Sequence, residues 1–134
     1  MRKELCRRGE RFILDVMRVL AVDDDADLLE VLQLALEQHG FDVVTASTLA
    51  AAEAHLTAAE PFDAVLTDLS VERHDDGLTL CREVRERAPD VGVLLLTGEA
   101  SMGERARNAG AHGWLVKPVD IEQLIAALRR FERR

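Results

Sequence analysis

The sequence predicts an α/β domain, a five-stranded parallel sheet wound by helices on both faces. Three observations carry this. Five short apolar runs recur along the chain and end on aspartate, threonine, alanine or lysine; each is followed by a segment with apolar residues at helical spacing; and Gly or Pro punctuates the joins. Strands that are continuously apolar are buried on both faces, which is the condition of a parallel sheet with right-handed helical crossovers.

The first run, Val19 to Val22, stops at Asp23, Asp24 and Asp25. Asp25 or Asp27 caps a helix carrying Leu28, Leu29, Val31, Leu32, Leu34, Ala35 and Leu36, which His39 and Gly40 end with the glycine at the C′ position. Phe41 to Ala46 is the second strand, Ser47 caps the alanine-rich helix Thr48 to Ala59, and Pro61 closes that unit. Ala64 to Thr67 is the third strand and finishes on Asp68. After the loop Leu69 to Gly77, a helix runs from about Leu78 to Ala88 and is broken by Pro89; the strand Val91 to Leu96 then ends at Thr97. A shorter helix, around Met102 to Ala109, ends at Gly110. The strand Gly113 to Val116 ends at Lys117-Pro118, and Asp120 caps a last helix with Ile121, Leu124, Ile125, Ala127 and Leu128 on its apolar side.

A chain of 134 residues accommodates one ordinary domain, so an effector domain beside it is not expected. Aromatics are only 4% of residues, so the core must be built from Leu, Val and Ala. The net charge of −8 is the wrong sign for gripping nucleic acid through phosphate contacts. No apolar run approaches the length that crosses a bilayer, and Met1 to Arg8 lack the apolar stretch of a signal peptide, so a cytoplasmic protein without a membrane partner is expected. Cys6 and Cys81 lie far apart without metal-ligand spacing and read as reduced thiols. Residues 1–16 differ from the rest, with Arg2, Lys3, Arg7, Arg8 and Arg11 against three acids. Two readings of this extension stand side by side: a mis-set start, because Met17-Arg18-Val19-Leu20 is itself a natural opening, or a docking helix with Leu5, Phe12, Ile13 and Val16 on one face. Residues 17–134 form the folded domain.

In open parallel sheets the site lies beyond the carboxyl ends of the strands. With strands one, three, four and five as neighbours, the flavodoxin-like order 2-1-3-4-5, Asp23, Asp24, Asp25, Asp68, Thr97 and Lys117 converge on one pocket. Carboxylates that close raise one another's pKa, and a bound cation resolves the conflict. Oxygen donors with open positions suit Mg²⁺. Asp68 is then both a ligand and a candidate nucleophile toward phosphorus, with Mg²⁺, the Lys117 ammonium and the Thr97 hydroxyl each neutralising one phosphoryl oxygen. Only Lys3 and Lys117 are lysines among 17 basic residues, and this chemistry gives Lys117 a role.

Val22-Asp23-Asp24-Asp25, Val65 to Leu69, Leu95-Leu96-Thr97-Gly98 and Ala109 to Pro118 together resemble the receiver domain of two-component response regulators, from about Met17 to the C-terminus. The resemblance implies that Asp68 accepts a phosphoryl group from the phosphohistidine of a histidine kinase or phosphotransfer protein. It implies that Asp24 and Asp68 bind Mg²⁺ with the Ser70 backbone carbonyl, that Asp23 holds a metal-bound water, and that Lys117-Pro118 is cis. It further implies a phosphoacceptor with slow self-hydrolysis rather than a turnover enzyme, monomeric or weakly dimeric. Thr97 and Trp114 are its switch pair, acting on an output face from about Met102 to Arg130 formed by the fourth helix, fifth strand and fifth helix, which a downstream protein reads.

Three features depart from the family pattern. Trp114 replaces the usual Tyr or Phe, Val71-Glu72 replaces a Met-Pro pair in a loop one residue longer than usual, and the stretch from Thr97 to Ala109 is short. The first two motivate the alternative of an interaction module that does not depend on phosphorylation, and the third bears on where the fourth helix and the output face lie. A Mg²⁺-dependent phosphatase or nuclease on a related sheet is disfavoured by the lack of a separate general base. His39, His55, His74 and His112 lack ligand spacing and read as surface residues, and Arg129, Arg130, Arg133 and Arg134 as a basic helix end that complements the dipole.

Overall fold

The computed structural model describes residues 16–58 and 60–132. Both readings of the extension therefore fall, apart from Val16, outside the described residues, as do Arg133 and Arg134. The elements are β1 (Arg18–Val22), α1 (Ala26–Gln38), β2 (Asp42–Ala46), α2 (Leu49–Leu56), β3 (Ala64–Asp68), α3 (Asp76–Arg87), β4 (Gly92–Thr97), α4 (Gly103–Asn108) after a 3₁₀ turn at Ala100–Met102, β5 (Gly113–Val116) and α5 (Ile121–Arg129). All strands pair in parallel in the order β2-β1-β3-β4-β5. The register pairs Val22 with Thr67, Asp68 with Leu96 and Thr97 with Val116, so the chemically loaded strand ends lie along one edge.

Because strand side chains alternate, each apolar run feeds two cores. Leu20, Val22, Val65, Val93 and Leu95 face α2, α3 and α4, packing with Ala52, Cys81, Val84 and Ala106. Val19, Ala21, Leu66, Leu94 and Leu96 face α1 and α5, packing with Leu29, Leu32, Leu36, Leu124 and Leu128. Full burial of each such Leu or Val contributes roughly 1.5–3 kcal/mol, which stiffens the platform beneath the loops. Among the described residues, no helix is long and apolar enough to cross a membrane.

Local chemistry sets the element ends. Asp25 caps α1 by accepting from the Asp27 and Leu28 amides, and Asp120 caps α5 the same way. Helix α1 ends in a Schellman arrangement: Gly40, at φ 90°, donates to Glu37 and Phe41 donates to Leu36. Three sequence expectations need correction. Helix α2 ends at Leu56, short of the expected Ala59, where the Thr57 and Ala58 amides close the last turn onto the Glu53 and His55 carbonyls. Thr48, not Ser47, caps α2, because Thr48 holds the extended backbone that turns its oxygen onto the Ala51 amide. Helix α3 starts at Asp76 rather than Leu78, since the Asp75 carbonyl already accepts from the Leu78 and Thr79 amides.

His112, an exposed residue as expected, also closes the lower edge of β4: its Nδ1 accepts the Val93 amide at 3.0 Å. Burial, then the Arg85 guanidinium 3.3 Å from Nε2, holds its pKa below the ordinary histidine value. A depressed histidine pKa contributes stability above the unfolded value of about 6.5 that is lost as pH falls through the folded value. The Val93–His112 hydrogen bond is part-buried and worth about 0.5–1 kcal/mol. The urea midpoint is expected to fall between pH 7 and pH 5 by more in the native chain than in His112→Gln.

Candidate functional site

Asp23, the first residue beyond β1, is 1% exposed although charged. Its two oxygens are both engaged: Oδ1 accepts the Asp25 amide at 3.0 Å and Oδ2 lies 3.2 Å from Lys117 Nζ. Asp68, the last residue of β3, accepts the Leu69 amide on Oδ1 at 3.0 Å, and the same oxygen lies 3.2 Å from Lys117 Nζ. One ammonium thus bridges two carboxylates from different strand ends. Asp24 is exposed, and one oxygen from each of Asp23, Asp24 and Asp68 lies within 4.8 Å of the others. Lys117 precedes a cis peptide to Pro118, as the resemblance implies, and its amide donates to the Thr97 carbonyl at 2.8 Å.

The electrostatics follow from this crowding. Burial, then the Asp23 charge, raises the Asp68 carboxyl above its ordinary range against the opposing pull of Lys117. Burial pushes Lys117 down, but Asp23 and Asp68 outweigh it and hold the ammonium above the usual lysine value. A site in which one cation offsets three clustered carboxylates fits a second, hard cation: the donors are all oxygens, and the exposed Asp24 leaves the side facing solvent open.

The other predicted residues are placed less directly. Thr97 is 3% exposed, and its hydroxyl is turned to the Glu99 backbone, accepting its amide at 3.1 Å and lying 3.4 Å from its carbonyl. Ser70 sits half-buried in the loop after Leu69. The indole of Trp114 lies on α4: a Cβ on Gly103 would overlap its Cε2 and Cζ2, and Arg107 stands 5.1 Å from the ring centroid.

Two residues outside the predicted set shape the loop. Asp76 is 8% exposed, and its Oδ2 accepts the Glu72 and Arg73 amides at 3.1 and 2.8 Å, stapling the loop to α3. The signal for it was an aspartate directly before Gly77 at the loop's end. Gly77 donates to the Leu69 carbonyl at 2.7 Å, and a Cβ there would overlap the Asp68 carbonyl oxygen. Backbone cannot yield as a side-chain tip can, so Gly77→Ala is expected to cost about 2–3 kcal/mol, read as a lower urea midpoint, and to displace Asp68.

The family model of the response regulator receiver domain matches residues 19–129. Response regulator MprA of Mycobacterium leprae is 38% identical over 120 residues, covering 88% of this chain and 52% of its own length. Transcriptional regulatory protein AruR of Pseudomonas aeruginosa is 37% identical over 125 residues, covering 89% of this chain and 50% of its own. The chain therefore spans about half the length of these curated relatives. Among solved structures, a receiver domain protein from Clostridium thermocellum superposes with TM-score 0.80 at 28% identity, covering 87% of this chain and 94% of that one. Chemotaxis response regulator CheY4 of Vibrio cholerae gives 0.79 at 30% identity, covering 88% and 100%.

Proposed function

The chain belongs to the response regulator receiver domain family, whose function is phosphorylation-dependent switching in two-component systems, and we propose that its phosphoacceptor is Asp68. The observation that carries this is the Lys117 ammonium, 3.2 Å from both Asp23 and Asp68 beside a cluster of three carboxylates. An Asp68 oxygen attacks the phosphorus of a phosphohistidine on a histidine kinase or phosphotransfer protein. The new P–O bond forms as the P–N bond breaks, and the imidazole, which carries a proton on its other ring nitrogen, takes the electron pair of that bond and leaves neutral. Lys117 faces the developing negative charge at the place where its ammonium already stands.

Receiver domains generally bind Mg²⁺ at an acidic pocket, and here Asp23, Asp24, Asp68 and the Ser70 carbonyl would hold it. When bound, Mg²⁺ supplies neutralisation of phosphoryl oxygens. The Thr97 hydroxyl, now on the Glu99 backbone, exchanges that partner for a phosphoryl oxygen, and Trp114 responds through the elements it packs on. The face from α4 through β5 to α5 then meets a downstream protein. The domain is residues 17–134, works in the cytoplasm as a monomer or weak dimer, and turns over only by slow self-hydrolysis.

The test is incubation with acetyl phosphate, followed by intact mass. A gain of one phosphoryl group that requires Mg²⁺ and is lost with EDTA supports the reading. No adduct at millimolar Mg²⁺ overturns it.

A further inference from the structure

Asp75 occupies the N-cap position of α3, where aspartate ordinarily bonds the first free amides of the helix, yet its side chain makes no such bond. Its backbone is left-handed, at φ 71° and ψ 10°, a conformation disfavoured for a residue with a Cβ. What the carboxylate does instead is reach α4: Oδ2 meets Arg105 Nη2 at 2.7 Å. The other oxygen, Oδ1, is shut off from solvent without a hydrogen bond, and His74 Nε2 lies 3.5 Å from it. The hydrogen bond from Arg105, foremost, holds the Asp75 carboxyl below the usual range. The strained backbone and the forgone cap both serve a contact between two elements that the chain separates by 30 residues.

The contact lies at the end of a stiff path. Gly77 packs on the Asp68 carbonyl and donates to Leu69, and Asp76 staples Glu72 and Arg73, so the loop from Asp68 to Asp75 has little slack. Beyond the contact, α4 is six residues long and lacks a side-chain N-cap, so external contacts must hold it in place. On its other side Gly103 receives the indole of Trp114 and Arg107 stands over that ring.

We propose that Asp75 and Arg105 are positioning residues, a tether through which the state of Asp68 sets the position of α4 and, with it, Trp114. This rests on the phosphoacceptor reading and deepens it. The tether adds a route beside Thr97, running through the loop and α4. An exposed ion pair contributes little to stability, so the tether is separable from folding.

The test uses the full chain, Arg105→Gln, Asp75→Asn and the double variant, each with acetyl phosphate and Mg²⁺. Intact mass reads the adduct, Trp114 fluorescence reads α4, and urea midpoints check folding. Adducts and midpoints close to the native chain are expected, with the phosphorylation-dependent fluorescence change reduced at least twofold in each single variant and no further in the double. Native-size fluorescence changes in the single variants, losses that add in the double, or no fluorescence change in a fully phosphorylated native chain each overturn the tether. Absence of the adduct from the native chain instead overturns the phosphoacceptor reading on which it rests.

Discussion

Asp68→Asn is expected to lose the phosphoryl adduct entirely while making the folded protein more stable. The amide keeps the size of the carboxyl group and an oxygen for the Leu69 amide, but it has no anionic oxygen to attack phosphorus. The gain in stability follows from the sign of the shift. Burial, then Asp23, raises the Asp68 pKa even with Lys117 beside it, so the folded state binds that proton more tightly than the unfolded chain does. Above the raised value the ionised carboxylate disfavours folding, and the penalty fades as pH falls from the raised value toward the unfolded one. Asparagine removes the charge and the penalty at once. Intact mass with acetyl phosphate and Mg²⁺ reads the first effect, and a higher urea midpoint at pH 7 reads the second.

Lys117→Ala is expected to move stability the other way. It leaves the Asp23 and Asp68 carboxylates facing each other without the ammonium that lies 3.2 Å from both, one of them almost wholly buried. Removing one partner of such a group costs about 2 kcal/mol, less than for a fully buried pair because Lys117 is itself partly exposed. The rate of adduct formation should fall by about 10²–10³, the usual loss on deleting one donor aimed at transition-state charge. Lys117→Arg should restore only part of the rate, since a planar fork does not replace a compact ammonium set between two oxygens. Stopped reactions followed by mass, together with urea melts, check both effects.

The sheet and its site were largely legible in the sequence because the signals there are one-dimensional. Val19 to Val22 and Ala64 to Thr67 are apolar runs ending on aspartate, and a parallel sheet fixes where such ends must lie. Asp23, Asp24, Asp68 and Lys117 come together for that reason. The misses concern choices between adjacent residues of similar chemistry. Ser47 and Thr48 can both cap a helix, and only the extended backbone at Thr48 decides. Asp75 and Asp76 both lie at the start of α3, and one turns inward to the loop while the other turns out to Arg105. The fit of Trp114 over Gly103 joins residues 11 positions apart by an absence, the missing Cβ, which no periodicity reveals. The bonds between the Thr97 hydroxyl and the Glu99 backbone are a local arrangement at the end of β4 that the residue pattern does not reveal.

The measurement that tests the central claim most directly is the position of the acyl phosphate. After treatment with acetyl phosphate and Mg²⁺, borohydride reduction converts a phosphorylated aspartate to homoserine, which peptide mass spectrometry locates. Homoserine at position 68, dependent on Mg²⁺, is the predicted result. Homoserine at Asp23, Asp24 or elsewhere with none at 68, or none anywhere despite an adduct in the intact protein, would contradict it.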